Sequence, residues 1–217
     1  MTTTRLGNEA LAQDDDDAQE QELVIPYRRY EGQVVIRQIS YYLSGEIVPA
    51  IHYSEMLYTL RTATENDLIY LHLNTPGGDF DAGLQIINNM RLSKAKVVTV
   101  LEAKAYSMGA LIFLAGDEIA VHDNCQLMFH NYSGSFIGKG NEQHAQVMAV
   151  GKWFEKVMHR ICEPFLSGSE IAAILKGEDI WMDSDEIRKR LQRMLPPALK
   201  RERRKADVDA AEAPDKK

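Results

Sequence analysis

The chain has 217 residues, 45% hydrophobic and 26% charged, which suits one substantial domain with appendages and is too short to favour two large ones. A formal net charge of −7 argues against nucleic acid or an anionic membrane as the principal partner, and Cys125 and Cys162 are too few for a metal cluster or a disulfide scaffold. No apolar run approaches the ~20 residues of a membrane span and the N-terminus lacks the basic-then-apolar order of a signal peptide, so a soluble cytoplasmic protein with buried thiols is expected.

Residues 1–21 are polar and acidic, including the run Asp14–Asp17, and should form a disordered tail ahead of a domain over 22–196. Val34–Ile39 reads as a strand. Ile51–Arg61 carries Met56, Leu57 and Leu60 on one helical face, and Leu68–Leu73 reads as a second strand. Asp81 is placed to cap a helix through Leu84, Ile87 and Met90, before a strand at Val97–Leu101 and an apolar helical stretch at Leu111–Ala115. Leu127–His130 has a short buried-strand pattern, and 141–165 reads as a long helix stopped near Gly168. Asp183 followed by Glu186 resembles a capping box opening one more helix, and 197–217 is a second charged tail. Strands alternating with helices predict an α/β fold of βαβ units around a largely parallel sheet covered on both faces.

Chemistry concentrates in three places. Ala105-Tyr106-Ser107-Met108-Gly109-Ala110 lies between a strand and a helix, where a serine can expose its hydroxyl above a sheet edge while first-turn amides face a developing negative charge. The plainer role for such a serine is an N-cap. His130 closes a strand pattern and is the residue type that partners a nucleophilic serine. Thr75-Pro76-Gly77-Gly78-Asp79 follows a strand, and its glycines can bring backbone close to a ligand and offer an amide to an oxyanion, although an ordinary Pro-Gly turn has the same composition. With a later aspartate, these segments would supply each part of an acyl-transfer site.

The same segments resemble the Clp peptidase (ClpP) family, whose N-S-P-G-G, A-S-M-G-A and M-I-H-Q-P motifs occur in this order. Here they read Asn74-Thr75-Pro76-Gly77-Gly78, Ala105-Tyr106-Ser107-Met108-Gly109-Ala110 and Met128-Phe129-His130-Asn131-Tyr132. The resemblance covers roughly 34–182. It implies a ClpP/crotonase-like α/β spiral and a serine endopeptidase with Ser107 as nucleophile, His130 as general base, and the amides of Gly78 and Met108 as oxyanion hole. The triad acid falls in the family's E-R-D-x-F-L-S segment, matched by Glu178-Asp179-Ile180-Trp181-Met182. Asp179 is the choice, with Asp183 and Asp185 as competitors.

Residues 134–165 resemble the family's handle, a strand and helix through which rings meet. The resemblance implies a homo-oligomer of heptameric rings stacked in pairs, fed with unfolded polypeptide by an AAA+ unfoldase of the ClpX or ClpA type. No cofactor and no metal is expected. ATP would be consumed by the unfoldase, since the chain has no G-x-x-x-x-G-K-[ST] loop. Departures from the family are Tyr132 for a proline, Glu178 for an arginine, and Glu186–Leu191 for an E-Y-G-L-V-D ending. The rival readings are a catalytically silent ring subunit, a scaffold-processing peptidase without an unfoldase, a crotonase-type acyl-CoA enzyme, and a Ser–Lys peptidase using Lys104. His52, His72, His122, His144 and His159 are expected at the surface or packed, away from the chemistry.

Overall fold

The first described strand, β1 (Arg37–Ser44), starts later than hydrophobicity suggests, and a charge pair stands at its first rung. Asp67, itself buried, accepts from Nε and a terminal nitrogen of Arg37 at 3.1 and 2.9 Å, and this pair is the first rung of the parallel ladder to β2 (Asp67–Thr75). Val35 and Ile36 lie ahead of that rung and are exposed. The computed structural model describes residues 35–194. The expected tails at 1–21 and 197–217, with 22–34 and 195–196 of the expected domain, lie outside the described residues.

After β1 the chain passes a 3-10 turn at Ala50–Tyr53 and forms α1 (Ser54–Thr62), which buries the expected Met56, Leu57 and Leu60. In β2 the two-residue period is plain: Ile69, Leu71, Leu73 and Thr75 are buried, while Leu68, Tyr70 and His72 are half-buried. Helix α2 (Phe80–Leu92) buries Ala82, Gly83, Ile86, Ile87 and Met90. Its cap is Asp79 rather than Asp81, because the Asp79 carboxylate accepts from the amide of Ala82 at 2.8 Å; Asp81 lies in the first turn, where a negative charge suits the helix dipole.

Strand β3 (Lys96–Tyr106) is twice the expected length and organises the sheet. It pairs in parallel with β2 on one side. On the other, β4 (Glu118–Val121) pairs with residues 98–101 and β5 (Gln126–Phe129) with residues 104–106, both parallel, so two short strands share one edge end to end. Between Leu73 and Thr75 the β2–β3 register shifts, placing extra residues on β3 just before its end. The strand order is β1-β2-β3-β5-β6, closed by β6 (Ile180–Asp183) running antiparallel to β5.

Helix α3 (Met108–Leu114) is buried from Met108 through Phe113 and packs on α2. Coverage of the other sheet face is partial: Val98 and Val100 are buried there, but Tyr42 is exposed, which corrects the expectation of a sheet closed on both sides. Helix α4 (Gly140–Cys162) buries only Phe154, Val157, Met158, Ile161 and Cys162, so its first half stands off the body. Residues 134–139, expected to contribute a handle strand, carry no strand pairing in the single chain. Gly168 opens a helix instead of stopping one. Ser167 and Glu170 form the capping box of α5 (Gly168–Leu175), which the sequence reading missed along with β4 and β6. The expected box at Asp183 is present: its carboxylate accepts from the amide of Glu186 at 2.9 Å at the start of α6 (Ser184–Met194).

Both cysteines are buried free thiols, and burial pushes Cys162 up to about 12. Among the described residues no helix is long and apolar enough to cross a membrane.

Candidate active site

Three parallel strands end at the same edge of the sheet, and each delivers one chemical group there. Beyond β2 comes the Gly77-Gly78 turn, beyond β3 Ser107, and beyond β5 His130. In open α/β sheets ligands bind in the crevice outside the carboxyl ends of the strands.

Ser107 occupies the N-cap position of α3, yet its side chain makes no capping hydrogen bond. Its backbone, at φ 53° and ψ −122°, is the single positive-φ conformation of a non-glycine residue among the described residues. Such a conformation costs on the order of 1–3 kcal/mol and persists only where neighbours impose it. Here the Ser107 amide donates to the Met128 carbonyl at 2.9 Å and its carbonyl accepts from the Ala110 amide at 3.0 Å. The turn is thereby locked to both β5 and α3. A hydroxyl so placed, with no cap to make, is what distinguishes a presented serine from a helix cap.

The Pro76–Gly78 segment is likewise more than a turn. Gly77 has φ 94°, and a Cβ there would lie 2.6 Å from the Tyr106 carbonyl oxygen and 2.8 Å from Ser107 Cβ. Only glycine lets this loop rest on the serine turn. Gly78, at φ 144°, bridges to Ile47 in parallel fashion: the Ile47 amide donates to the Gly77 carbonyl at 2.8 Å and the Asp79 amide donates to the Ile47 carbonyl at 2.8 Å. That pattern uses the groups flanking Gly78 and turns its own N–H to the opposite side. The amide of Met108, first residue of α3, has no acceptor within its helix.

Gly78, Ser107, Met108 and His130 line one cavity of about 70 Å³, together with Phe80, Tyr132 and Phe154. Asp179 is not part of that lining, and its placement follows from strand register. The β5–β6 ladder pairs Gln126 with Asp183 and ends where Phe129 pairs with Ile180; a register continued by one step would set His130 opposite Asp179. Opposed residues of an antiparallel pair project to the same face. Asn131 reinforces the approach, donating to the Leu175 carbonyl at 3.1 Å where α5 leads toward β6. Asp183 belongs to the far rung, and Asp185 pairs with Arg188 at 3.7 Å on α6. In the single chain no hydrogen bond joins the side chains of Ser107, His130 and Asp179.

Other residues considered from sequence are accounted for elsewhere. Lys104 lies over the Tyr106 ring, 5.6 Å from its centroid, and does not line the cavity. His72 contacts Glu102 at 2.6 Å, with His122 at 3.5 Å from the same carboxylate, and His159 contacts Glu163 at 3.0 Å. Among the described residues no His, Cys, Asp and Glu group is arranged to hold a metal. The sequence reading missed the aromatic lining: Phe80, Tyr132 and Phe154 come from three separated segments, and only the fold joins them.

The Clp protease family model matches residues 33–190, well over half of the chain. The chain belongs to the Clp protease family. Its mixed α/β fold, with a six-stranded sheet and a long helix standing partly off the body, is the fold of that family. It is similar to the "ATP-dependent Clp protease proteolytic subunit" of Streptococcus pyogenes serotype M5 (strain Manfredo), at 35% identity over 125 residues. The protein of the same description from Streptococcus equi subsp. equi (strain 4047) is equally similar. Each match takes in 54% of this chain and 62% of the relative's length.

Proposed function

We propose that this Clp protease family member is a serine endopeptidase. The observation that carries the reading is the strained, uncapped Ser107 sharing a cavity with His130 at the carboxyl edge of the sheet. His130 takes the proton from Ser107 Oγ as that oxygen forms a bond to the peptide carbonyl carbon. The resulting oxyanion accepts from the amides of Gly78 and Met108. His130 then gives the proton to the leaving amine as the C–N bond breaks. Water, deprotonated by the same imidazole, hydrolyses the ester and restores Ser107. Asp179, across the continued β5–β6 register, holds the imidazole in the required tautomer. The side-chain hydrogen bonds absent from the free chain form as substrate fills the cavity, a tightening common at catalytic sites. No cofactor takes part in these steps.

The relatives' names describe a subunit of an ATP-dependent protease. By that likeness the chain assembles into stacked rings, with heptamers as the expected stoichiometry, and receives unfolded polypeptide from a separate AAA+ unfoldase. The one observation favouring a silent ring subunit is the missing Ser107–His130 hydrogen bond. Mass spectrometry after treatment with a serine-directed phosphonate decides between them. Modification confined to Ser107, together with turnover of a short fluorogenic peptide, supports the peptidase. An unmodified Ser107 in an assembled, folded protein refutes it.

A further inference from the structure

Beside the catalytic cavity lies a more open groove of about 410 Å³. The two share Gly78, Phe80, Tyr132, Ser133 and Phe154, so a side chain in the groove belongs to a residue close to the scissile bond. Its walls are aromatic. Phe80 meets Trp153 edge-on at 5.4 Å and Phe154 at 5.7 Å, and Tyr132 meets Phe154 at 5.3 Å, which gives a continuous run of rings from α2 across to α4. Trp153 remains 43% exposed, leaving ring surface available. At the α2 end stand two carboxylates, Asp79 and Asp81. Asp79 is engaged in capping α2, whereas Asp81 is exposed and in no ion pair with a described residue. The lining includes no lysine, arginine or histidine.

Aromatic faces beside an unpaired carboxylate form a poor site for an acidic side chain and an ordinary one for an aliphatic chain. They suit an aliphatic stem that ends in a positive charge, since the stem packs on the rings while the cation gains from both ring faces and carboxylate. Resting on the proposed peptidase reading, we propose that this groove takes a lysine or arginine side chain flanking the scissile bond, with Asp81 and Trp153 as its specificity-determining residues. The net charge of −7 acts in the same direction by drawing basic segments toward the protein.

The test uses the full chain and two labelled alanine-rich peptides that differ at one central residue, lysine in one and its uncharged isostere norleucine in the other. Binding is measured to Ser107→Ala, which cannot turn the peptides over, and hydrolysis to the wild type. The lysine peptide should bind about tenfold more tightly. That preference should disappear when Asp81→Asn or Trp153→Leu is added, and persist with Asp185→Asn, an equal change of charge on remote α6. Equal binding of the two peptides, or a preference unaffected by Asp81→Asn, overturns the proposal. The peptidase reading fails separately: a lysine preference in binding with no hydrolysis of either peptide by the wild type removes the catalysis and keeps the groove. Equal binding and equal hydrolysis does the reverse.

Discussion

Replacing Gly77 with alanine tests whether the glycine loop supports the serine turn by contact. Two penalties act at that position. A side chain at φ 94° is strained by about 1–2 kcal/mol, and a Cβ 2.6 Å from the Tyr106 carbonyl oxygen and 2.8 Å from Ser107 Cβ adds an overpacking cost of about 1–3 kcal/mol. The reduced entropy of the unfolded chain returns about 0.4–1 kcal/mol, leaving a net loss of about 1–5 kcal/mol. Gly45 is the matched control. Its φ is 120°, but no atom lies within 4 Å of the position a Cβ would take, so Gly45→Ala carries the strain without the contact and should cost about 1 kcal/mol or less. Urea denaturation gives both stabilities, and the rate of phosphonate attachment to Ser107 reports on the turn. Because the obstructing atoms belong to Tyr106 and Ser107 themselves, Gly77→Ala should also slow labelling by about 10- to 100-fold, as expected for misplacement of a reacting group by a fraction of an ångström. Gly45→Ala should label at the wild-type rate. Equal stability losses in the two variants, with unchanged labelling in both, would show that the loop does not brace the nucleophile.

Ser107→Gly should stabilise the fold by about 1 kcal/mol, since glycine tolerates φ 53°, while abolishing peptide turnover; a destabilised Ser107→Gly protein in thermal denaturation would mean that the turn is not strained. Glu170 accepts from Arg190 at 2.7 and 3.1 Å, which holds its carboxyl at about 2, below the ordinary 4.5. A depressed folded-state value gives stability that is present above pH ~4.5 and is lost as pH falls toward 2, so Glu170→Gln should cost on the order of 2 kcal/mol at pH 7 and flatten that part of the acid-unfolding curve. An unchanged acid limb in Glu170→Gln would count against the pair. Asp179→Asn should reduce turnover by orders of magnitude with little change in stability, whereas Asp183→Asn should cost about 1 kcal/mol of α6 capping and leave turnover near wild type. The opposite pattern would assign the acid to the wrong end of β6.

Motifs whose meaning is local were legible in the sequence. The glycine pair, the serine between strand and helix, and the histidine closing an apolar run each announce a backbone event within a few residues, and each ends at the sheet's carboxyl edge. What the sequence concealed depends on partners far along the chain. The length of β3 reflects two different neighbours, β4 and β5, along one edge. Glycine at 168 looks like a stop until the Ser167–Glu170 box is seen to begin a helix there. Arg190 reads as one charge among many in α6, yet it binds Glu170, Glu186 and the Phe165 carbonyl and so fastens the last described helix to α5. The aromatic lining beside the serine combines residues 80, 132 and 154, a juxtaposition no periodicity encodes.

The proposed position of the acid rests on β5–β6, the one antiparallel pairing among the described strands. Parallel strands bring only their carboxyl ends to the proposed catalytic edge, so a glycine turn, serine and histidine drawn from β2, β3 and β5 all come just after their strands. A fourth group supplied by a strand running the other way must come just before it. Asp179 satisfies that condition by immediately preceding β6, whereas Asp183 closes the strand four residues later. At about 3.3 Å per residue the two aspartates are separated by roughly 13 Å of extended chain, beyond the reach of one carboxylate side chain. Strand direction therefore favours Asp179 over Asp183 independently of any sequence motif. It also explains why the capping role of Asp183 and the proposed orienting role of Asp179 are compatible, since they lie at opposite ends of one short strand.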